Sequence, residues 1–240
     1  MDRLSKQDLL FLASSSGDAS NCDLSGLNLH GMELISMRFD NSNLAGANLN
    51  GTNLSGSRFR NTVITGCNLS SSNFTGCSFR QANLDRADLT FSTFVGADFT
   101  EASLREANFT TAKLSGALFE NADLTDANLQ MTDAGMIRCT GATMIRVSFR
   151  GASLICAVLS RCDLREAKLY GTDLSNADLS SADLRKADAL DATLIAADLT
   201  NADIREMRLK RTDLTRSKLD GIRHDEELRS LLSQYARRAK

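Results

Sequence analysis

A large apolar residue recurs at every fifth position through most of this chain. Leu, Phe, Ile or Met fills 37 of the 40 positions whose numbers end in 4 or 9 from Leu24 to Leu219, the exceptions being Ala134, Cys139 and Ala189. Two residues earlier, at numbers ending in 2 or 7, small side chains dominate. No insertion shifts this pattern, so one structural unit of five residues is repeated along the chain.

A period of five matches neither a straight helix at 3.6 residues nor a flat strand at 2, so the chain must turn a corner once per repeat. The small and the large residue lie two apart and therefore on the same side of a short extended segment, while the residue between them, usually Asn or Asp, is expected to face solvent. Thirteen of the 15 glycines fall two residues after the large residue, where a corner requires positive φ. The absence of Pro is typical of a chain whose backbone N–H groups nearly all donate to a ladder.

Units such as Ala122-Asp123-Leu124-Thr125-Asp126 carry a family resemblance. The chain resembles the pentapeptide-repeat proteins, whose units follow the pattern A(D/N)LXX. This resemblance implies an all-β solenoid, a right-handed quadrilateral parallel β-helix with four repeats per coil. Forty repeats then give about ten coils and a rod of about 48 Å, at a strand spacing of about 4.8 Å.

Four repeats per coil would place residues 20 apart directly above one another, and five phenylalanines have this spacing. They are Phe39, Phe59, Phe79, Phe99 and Phe119. We expect them to stack along one inner wall, each ring contact adding about 0.5 to 1.5 kcal/mol beyond burial. The alternative is that Phe replaces Leu at any repeat without regard to its neighbours.

The two ends depart from the repeat, which suggests three regions: a cap with a short helix at 1–21, the β-helix at 22–222, and an amphipathic helix within 223–240. Ser5 to Asp8 resembles a capping box, and a solenoid needs covers at its edges. The apolar side of the C-terminal helix consists of Leu228, Leu231, Leu232 and Tyr235. This apolar side is interpreted either as a lid on the last coil or as a homodimer contact. The family's gyrase-binding members favour the homodimer contact.

Residue types that carry catalysis or bind metals are not brought together by the repeat. The two histidines, His30 and His224, stand near opposite ends, and no nucleophile with an orienting base can be assembled around either. Five of the six cysteines occupy inward positions and only Cys156 falls at a corner, so all thiols are predicted to be free. The sequence therefore predicts no enzyme activity, no cofactor and no metal.

The charge balance, 28 basic against 30 acidic residues, argues against direct binding of nucleic acid or of an anionic membrane. No run of 18 apolar residues is present, and the first residues lack the apolar core of a signal peptide. A cytoplasmic protein is expected. Its function is predicted to be that of a rigid scaffold or adaptor for an unknown protein partner.

One candidate partner surface is an apolar strip in the region where the repeat is least regular, around residues 131–147. Its members are Met131, Met136, Ile155, Cys156 and Ile195. Outward Ile is also simply a good strand residue, so the strip has a purely structural alternative.

A second candidate surface is acidic. The family resemblance implies an alternative function, that of a DNA mimic that binds or protects bacterial DNA gyrase. The acidic candidates are Asp98, Glu101, Glu120, Asp178 and Asp198. A third pattern, Asp163, Asp183 and Asp203 with Arg165, Arg185 and Arg205, predicts two charged rows in which each Asp meets an Arg on the next coil.

Overall fold

The chain winds into a quadrilateral parallel β-helix with 20 residues in each coil, as the family resemblance implies. The computed structural model describes residues 1–230 and residue 232. Parallel bridges join residues 20 apart, from Asp18↔Arg38 to Asp203↔Arg223. The bridged stretch therefore begins before the predicted boundary at residue 22 and reaches one residue past 222. Within the described residues, no helix has the length and apolar character that a membrane span requires.

The five residues of each repeat are numbered here as positions 1 to 5, so that Cys22 is at position 1 and Gly26 at position 5. Positions 1 and 3 are buried and position 5 is mostly exposed. The four faces are named by their first complete repeats: face 1 carries Leu24, face 2 Leu29, face 3 Leu34 and face 4 Phe39. A residue 20 positions further along occupies the same position of the same face one coil later.

Each face ends in a tight turn centred on positions 4 and 5. The N–H of Leu27 donates to the carbonyl of Leu24 at 3.2 Å, and the same bond recurs at corner after corner. Every residue at position 5 from Asn21 to Gly221 has a φ near +60°, and 28 of these residues are not glycine. Glycine therefore marks the corners without being required there, which explains why its distribution outlined only part of the repeat.

Position 2 has a structural role beyond facing solvent. Its Asn or Asp side chain accepts a hydrogen bond from the N–H at position 4, as Asp23 does from Ser25 at 3.0 Å and Asn48 from Asn50 at 3.1 Å. The N–H groups at positions 2, 3 and 5 bond to neighbouring coils, and that at position 1 closes the turn. Asn or Asp is preferred at position 2 because its side chain accepts a hydrogen bond from the N–H at position 4, the one backbone donor that has no partner in the ladder.

Buried side chains from all four faces occupy the interior of the β-helix, and the stacked aromatic rings lie in its N-terminal half. Successive rings of Phe39, Phe59, Phe79, Phe99 and Phe119 are parallel, with centroids 4.8 to 5.0 Å apart. Rings from faces 2 and 3 contact this stack edge-on, as Phe74 does Phe79 at 5.6 Å and Phe109 does Phe119 at 6.2 Å. The ring spacing equals the strand spacing, so the stack is set by the backbone repeat.

At the N-terminal end, strand β1 (Asp2–Arg3) pairs in parallel with strand β2 (Cys22–Asp23), and helix α1 (Lys6–Ser14) lies between them in sequence. Ser5 caps α1 in a capping box with Asp8. Of the apolar residues of α1, Leu9 is fully buried, whereas Leu10 and Phe11 are exposed.

At the C-terminal end, residues 226–230 and 232 are helical. Leu232 is buried in the core, and Leu228 is partly buried and packs against the core. Leu231 and Tyr235, the other two predicted members of this apolar side, lie outside the described residues.

Candidate functional site

The predicted apolar strip falls on face 3 and its two corners. Ile155 and Ile195 occupy position 4 of face 3, while Met136 and Cys156 occupy position 5 at its far corner. Met131 closes face 2 and therefore stands at the near corner. The two methionines are 64% and 63% exposed, Ile155 is 40% exposed, and Ile195 is half-buried.

Three further apolar residues belong to the same surface and were missed in the sequence. Ile35 and Val95 lie in the same column as Ile155, and Phe91 lies in the same column as Met131. Phe91 is the most exposed of the three, at 69%. Their numbers differ from those of the predicted residues by multiples of 20, which is the signal that would have found them.

Face 3 carries little charge, a property that it shares with face 2 and that distinguishes it from faces 1 and 4. Its repeats in four successive coils, residues 52–56, 72–76, 92–96 and 112–116, contain one charged residue, Lys113. Side chains at its position 4 are small or apolar, and glycine occupies position 5 in all four repeats. The result is a flat, nearly neutral surface beside the exposed methionines, a composition suited to contact with protein.

The predicted acidic residues all lie on face 4, but they do not form a continuous row. At position 2, Asp98 is separated from Asp178 by three coils that carry Leu118, Arg138 and Val158. The carboxylates thus fall into two groups at different heights on the rod. This spacing departs from the regular succession of negative charges along a DNA strand.

The acidic side chains are also engaged by their neighbours. Arg80 contacts Asp98 at 3.2 Å and Arg138 contacts Glu120 at 3.0 Å. Burial raises the pKa of Asp98, but hydrogen bonds from Thr100 and Arg80 outweigh it and leave the pKa below its usual value.

The remaining acidic candidates have partners of the same kinds. Glu101 accepts a hydrogen bond from Gln81 at 2.8 Å, and Asp178 accepts one from the N–H of Ser180. Hydrogen bonds from Lys218 and Thr200 lower the pKa of Asp198 to about 2.

The charged rows on face 1 form the predicted contacts between coils, as Arg185 does with Asp203 at 3.8 Å, but their closest pairing is within a repeat. Arg165 binds Asp163 of its own repeat at 2.6 Å and approaches Asp183 of the next coil only to 3.9 Å. Asp203, only 2% exposed, lies against Arg205 at 2.6 Å. The closest pairing is local because positions 2 and 4 of one repeat share a face, with the Asp Oδ1 already turned toward position 4.

Groups with catalytic or metal-binding chemistry are buried or dispersed. Burial raises the pKa of the Cys67, Cys77 and Cys162 thiols to about 12, and all six cysteines are unpaired. His30 Nδ1 lies 2.8 Å from the carbonyl oxygen of Asn50. Across residues 1–230 and 232, no cluster of His, Cys, Asp and Glu is placed to hold a metal ion.

A surface groove runs along face 1. It measures about 480 Å³ and is lined by Thr65, Gly66, Asp85, Arg86, Arg105 and Glu106. Its charges are already paired, with Arg86 bound to Glu106 at 3.3 Å and Arg105 to Asp123 at 3.0 Å. The groove therefore offers no free charged group around which a substrate site could be built.

The repeat is recognised by family models over most of the chain. A model described as pentapeptide repeats matches residues 22–61, 42–81, 142–180 and 177–216, with 8 copies, and a model described as a pentapeptide repeat region matches 67–139. Comparison with curated proteins gives no match.

Solved structures of similar proteins come from several sources. HetL, a pentapeptide repeat protein involved in heterocyst differentiation regulation from the cyanobacterium Nostoc sp. strain PCC 7120, is 26% identical, with 91% of this chain and 96% of that chain covered and a TM-score of 0.38. A trypsin-treated form of QnrB1, a plasmid-mediated fluoroquinolone resistance protein, is 20% identical, with 88% and 99% covered and a TM-score of 0.48. A pentapeptide repeat protein of the Arabidopsis thaliana thylakoid lumen is 21% identical, with 55% and 78% covered and a TM-score of 0.26.

The family models span residues 22–139 and 142–216, which are the residues that wind into the four-sided coils. The chain therefore belongs to the pentapeptide-repeat family, and its fold is the right-handed quadrilateral β-helix of that family.

Proposed function

We propose that this protein is a non-enzymatic scaffold or adaptor that binds a protein partner through face 3. Pentapeptide-repeat proteins are generally structural or interaction proteins. The observation that carries the proposal is the exposure of Met131, Met136 and Ile155 on face 3 and its two corners, beside a stretch of this face with a single charged residue. A rigid rod holds such side chains in fixed positions, so little conformational entropy is lost when a partner covers them.

The test is a comparison of captured partners between the native protein and a face-3 variant, Met136→Asp/Ile155→Asp/Ile195→Asp. We expect the variant to lose its main partner by more than about tenfold in affinity, because an unpaired carboxylate buried in an apolar contact costs several kcal/mol. Retention of every partner at native affinity would refute the proposal.

The matched control places the same three charges on face 4, as Thr140→Asp/Ser160→Asp/Thr200→Asp. These residues occupy position 4 of their repeats and are half-buried, as Ile195 is. The control variant should bind the partner as the native protein does, and circular dichroism should show all three proteins equally folded.

The alternative function is a DNA mimic that binds or protects bacterial gyrase. It is supported by the placement of all five acidic candidates on one face of a rigid rod. Against it stand the three-coil gap between Asp98 and Asp178 and the basic neighbours of most of these carboxylates. Gyrase supercoiling assays with and without a quinolone test this alternative, which is rejected if the protein changes neither activity.

We further propose that residues 1–21 and 223–240 act as caps, and that the C-terminal helix is a lid rather than a dimer seam. The burial of Leu232 and the packing of Leu228 on the core support this assignment, because those side chains are already used within one chain. A variant ending at residue 224 should lose stability and expose the last coil. If it instead stays equally stable and only loses a dimer, the lid assignment is wrong.

A cytoplasmic location is proposed on the basis of the thiols. All six cysteines are unpaired, as is usual in reducing compartments. Cell fractionation tests this, and recovery of the protein from an oxidising compartment would contradict it.

A further inference from the structure

We propose that face 3 is self-complementary and that its occupant is face 3 of a second copy of this chain, packed antiparallel. This inference rests on the proposed function, because it names the partner of the same surface. It depends on the order in which charges, glycines and apolar residues follow one another along the rod.

The centre of face 3 carries an unused pair of opposite charges. Lys113 and Asp133 occupy position 2 in successive coils, and both are exposed. Neither side chain forms an ion pair or hydrogen bond with any other residue in the described part of the chain. Elsewhere opposite charges one coil apart do pair, as Arg146 does with Asp126 at 2.6 Å. Lys113 and Asp133 are thus free to meet charges from outside.

A two-fold axis lying in the face, across the rod and midway between these two coils, would satisfy both charges. Rotation about this axis reverses the rod direction and keeps each column opposite the same column of the second copy. Lys113 then faces Asp133 of the second copy, and Asp133 faces Lys113. Two intermolecular ion pairs form around the axis, as an isologous interface requires.

The same axis matches the shape of the face along position 5. In four successive coils this column is glycine, and in the next four it carries a side chain. The column reads Gly56, Gly76, Gly96, Gly116, Met136, Cys156, Asn176 and Ala196. Rotation places each of the last four opposite one of the first four, with Met136 over Gly116 and Cys156 over Gly96. Each projecting side chain therefore meets a position where no side chain stands in its way.

At position 4 the same symmetry pairs two of the four apolar residues, whereas Ile35 and Ile195 face Thr215 and Ser55. Val95 and Ile155, each 40% exposed, lie on equal and opposite sides of the axis and face one another in the pair. A parallel arrangement, with the axis along the rod, would instead set each coil against its own copy. Met136 would then face a corner of the same coil in the second copy, which carries an equally bulky side chain. Lys113 would likewise face its own coil of the second copy and not Asp133. The antiparallel arrangement therefore fits better.

The size of the contact decides how to detect it. Eight coils give a length of about 38 Å, and three outward positions give a width of about 10 Å. The area is about 400 Å² per copy, at the small end of specific interfaces, so the dimer is expected to form only at high protein concentration.

Thiol cross-linking gives the sharpest test, because Cys156 is a natural exposed probe. The variant Gly96→Cys places a second thiol opposite Cys156 of the other copy, and a short bismaleimide should join the two chains into a dimer. The matched control is Gly76→Cys, one coil out of register. Both glycines have φ near +65° and open space for a Cβ, so the two substitutions strain the fold equally. A Cys22→Ser background removes the half-buried thiol of Cys22.

We expect several-fold more cross-linked dimer from Gly96→Cys than from Gly76→Cys, and none from Gly96→Cys once Cys156→Ser is added. Equal yields from the two glycine variants would overturn the register. Absence of cross-linking at millimolar protein would overturn the dimer itself.

A second test changes the two central charges, leaves the glycines unaltered and needs no new thiol. Lys113→Asp sets like charges across the axis and should weaken self-association, measured by sedimentation, by roughly tenfold. The double variant Lys113→Asp/Asp133→Lys restores opposite charges and should recover the native association. If the double variant associates no better than the single one, the proposed pairing is wrong.

These results separate the inference from the proposed function. Suppose that the Met136→Asp/Ile155→Asp/Ile195→Asp variant loses a partner other than this chain and that the native chain does not self-associate. Face 3 then remains a docking surface, and the second copy is rejected as its occupant. Self-association without any other partner on face 3 supports this inference and removes the scaffold role from that face.

Discussion

The aromatic stack makes a quantitative prediction through the substitution Phe79→Leu. Phe79 is fully buried and has four ring neighbours: Phe59 and Phe99 stacked at 4.8 Å, and Phe74 and Phe94 edge-on at 5.6 and 6.1 Å. Leu is the usual residue at position 3, so the substitution keeps an apolar side chain that the fold accepts. What it removes is the set of ring contacts.

The control is Phe149→Leu, which alters an equally buried ring inside the rod. Phe149 has no aromatic ring beside it in the part of the chain that the structure describes. Both variants lose the same apolar area, and only Phe79→Leu also loses four ring pairs. At about 0.5 kcal/mol for each pair, the lower end of the usual range, Phe79→Leu should destabilise the protein by about 2 kcal/mol more than Phe149→Leu.

The free energy of unfolding would be measured by guanidinium denaturation followed by far-UV circular dichroism. Phe79→Ala should cost roughly 3 to 5 kcal/mol in the same assay because it also leaves a cavity. Equal destabilisation by Phe79→Leu and Phe149→Leu would refute the reasoning, since burial alone would then account for the cost of both.

Three further predictions concern single positions. Thr111→Gly should stabilise the protein by about 0.5 to 1 kcal/mol, because a β-branched residue is strained at its φ of 59°, and an unchanged melting temperature would contradict this. Cys67→Ser should be nearly neutral, since a hydroxyl can make the bond that this thiol donates to the carbonyl of Leu44 at 2.8 Å, whereas Cys139→Ser at a fully buried position 3 should cost about 1 to 3 kcal/mol in denaturant titrations. The pKa of Asp198 is lowered to about 2, so its contribution to stability is present above pH 4 and lost as the pH falls toward 2; Asp198→Asn should lower the stability by a constant amount at pH 6 to 8, and the difference from the native protein should shrink as the pH falls from about 4 toward 2.

The repeat predicted one corner every five residues because this spacing is independent of which side chain fills it, and the family resemblance supplied the four-sided coil. Leu24 and Phe39 differ in size, yet both mark position 3, and the 20-residue spacing of the phenylalanines predicted which rings stack. The role of position 2 was not predicted, because the donor that Asp23 accepts becomes visible only when the backbone of the turn is known.

The candidate site was predicted only in part, for a related reason. Met136 and Ile155 drew attention because they interrupt a regular stretch, whereas Val95 and Phe91 lie in regular repeats and are distinguished only by the face they share. Pairing on face 1 was predicted in part: Arg165 reaches Asp183 of the next coil at 3.9 Å, but its nearest partner is set by the turn within its repeat.

The uniform coil length governs how such a chain tolerates changes in size. Removing 20 residues would take away one layer and leave every later residue above its former neighbours. Removing a single pentapeptide upstream would rotate everything after it by a quarter turn and carry Met136 into the place that Met131 now occupies. Shortened or lengthened variants that keep the same residues together on each face should therefore differ from this chain by whole coils of 20 residues.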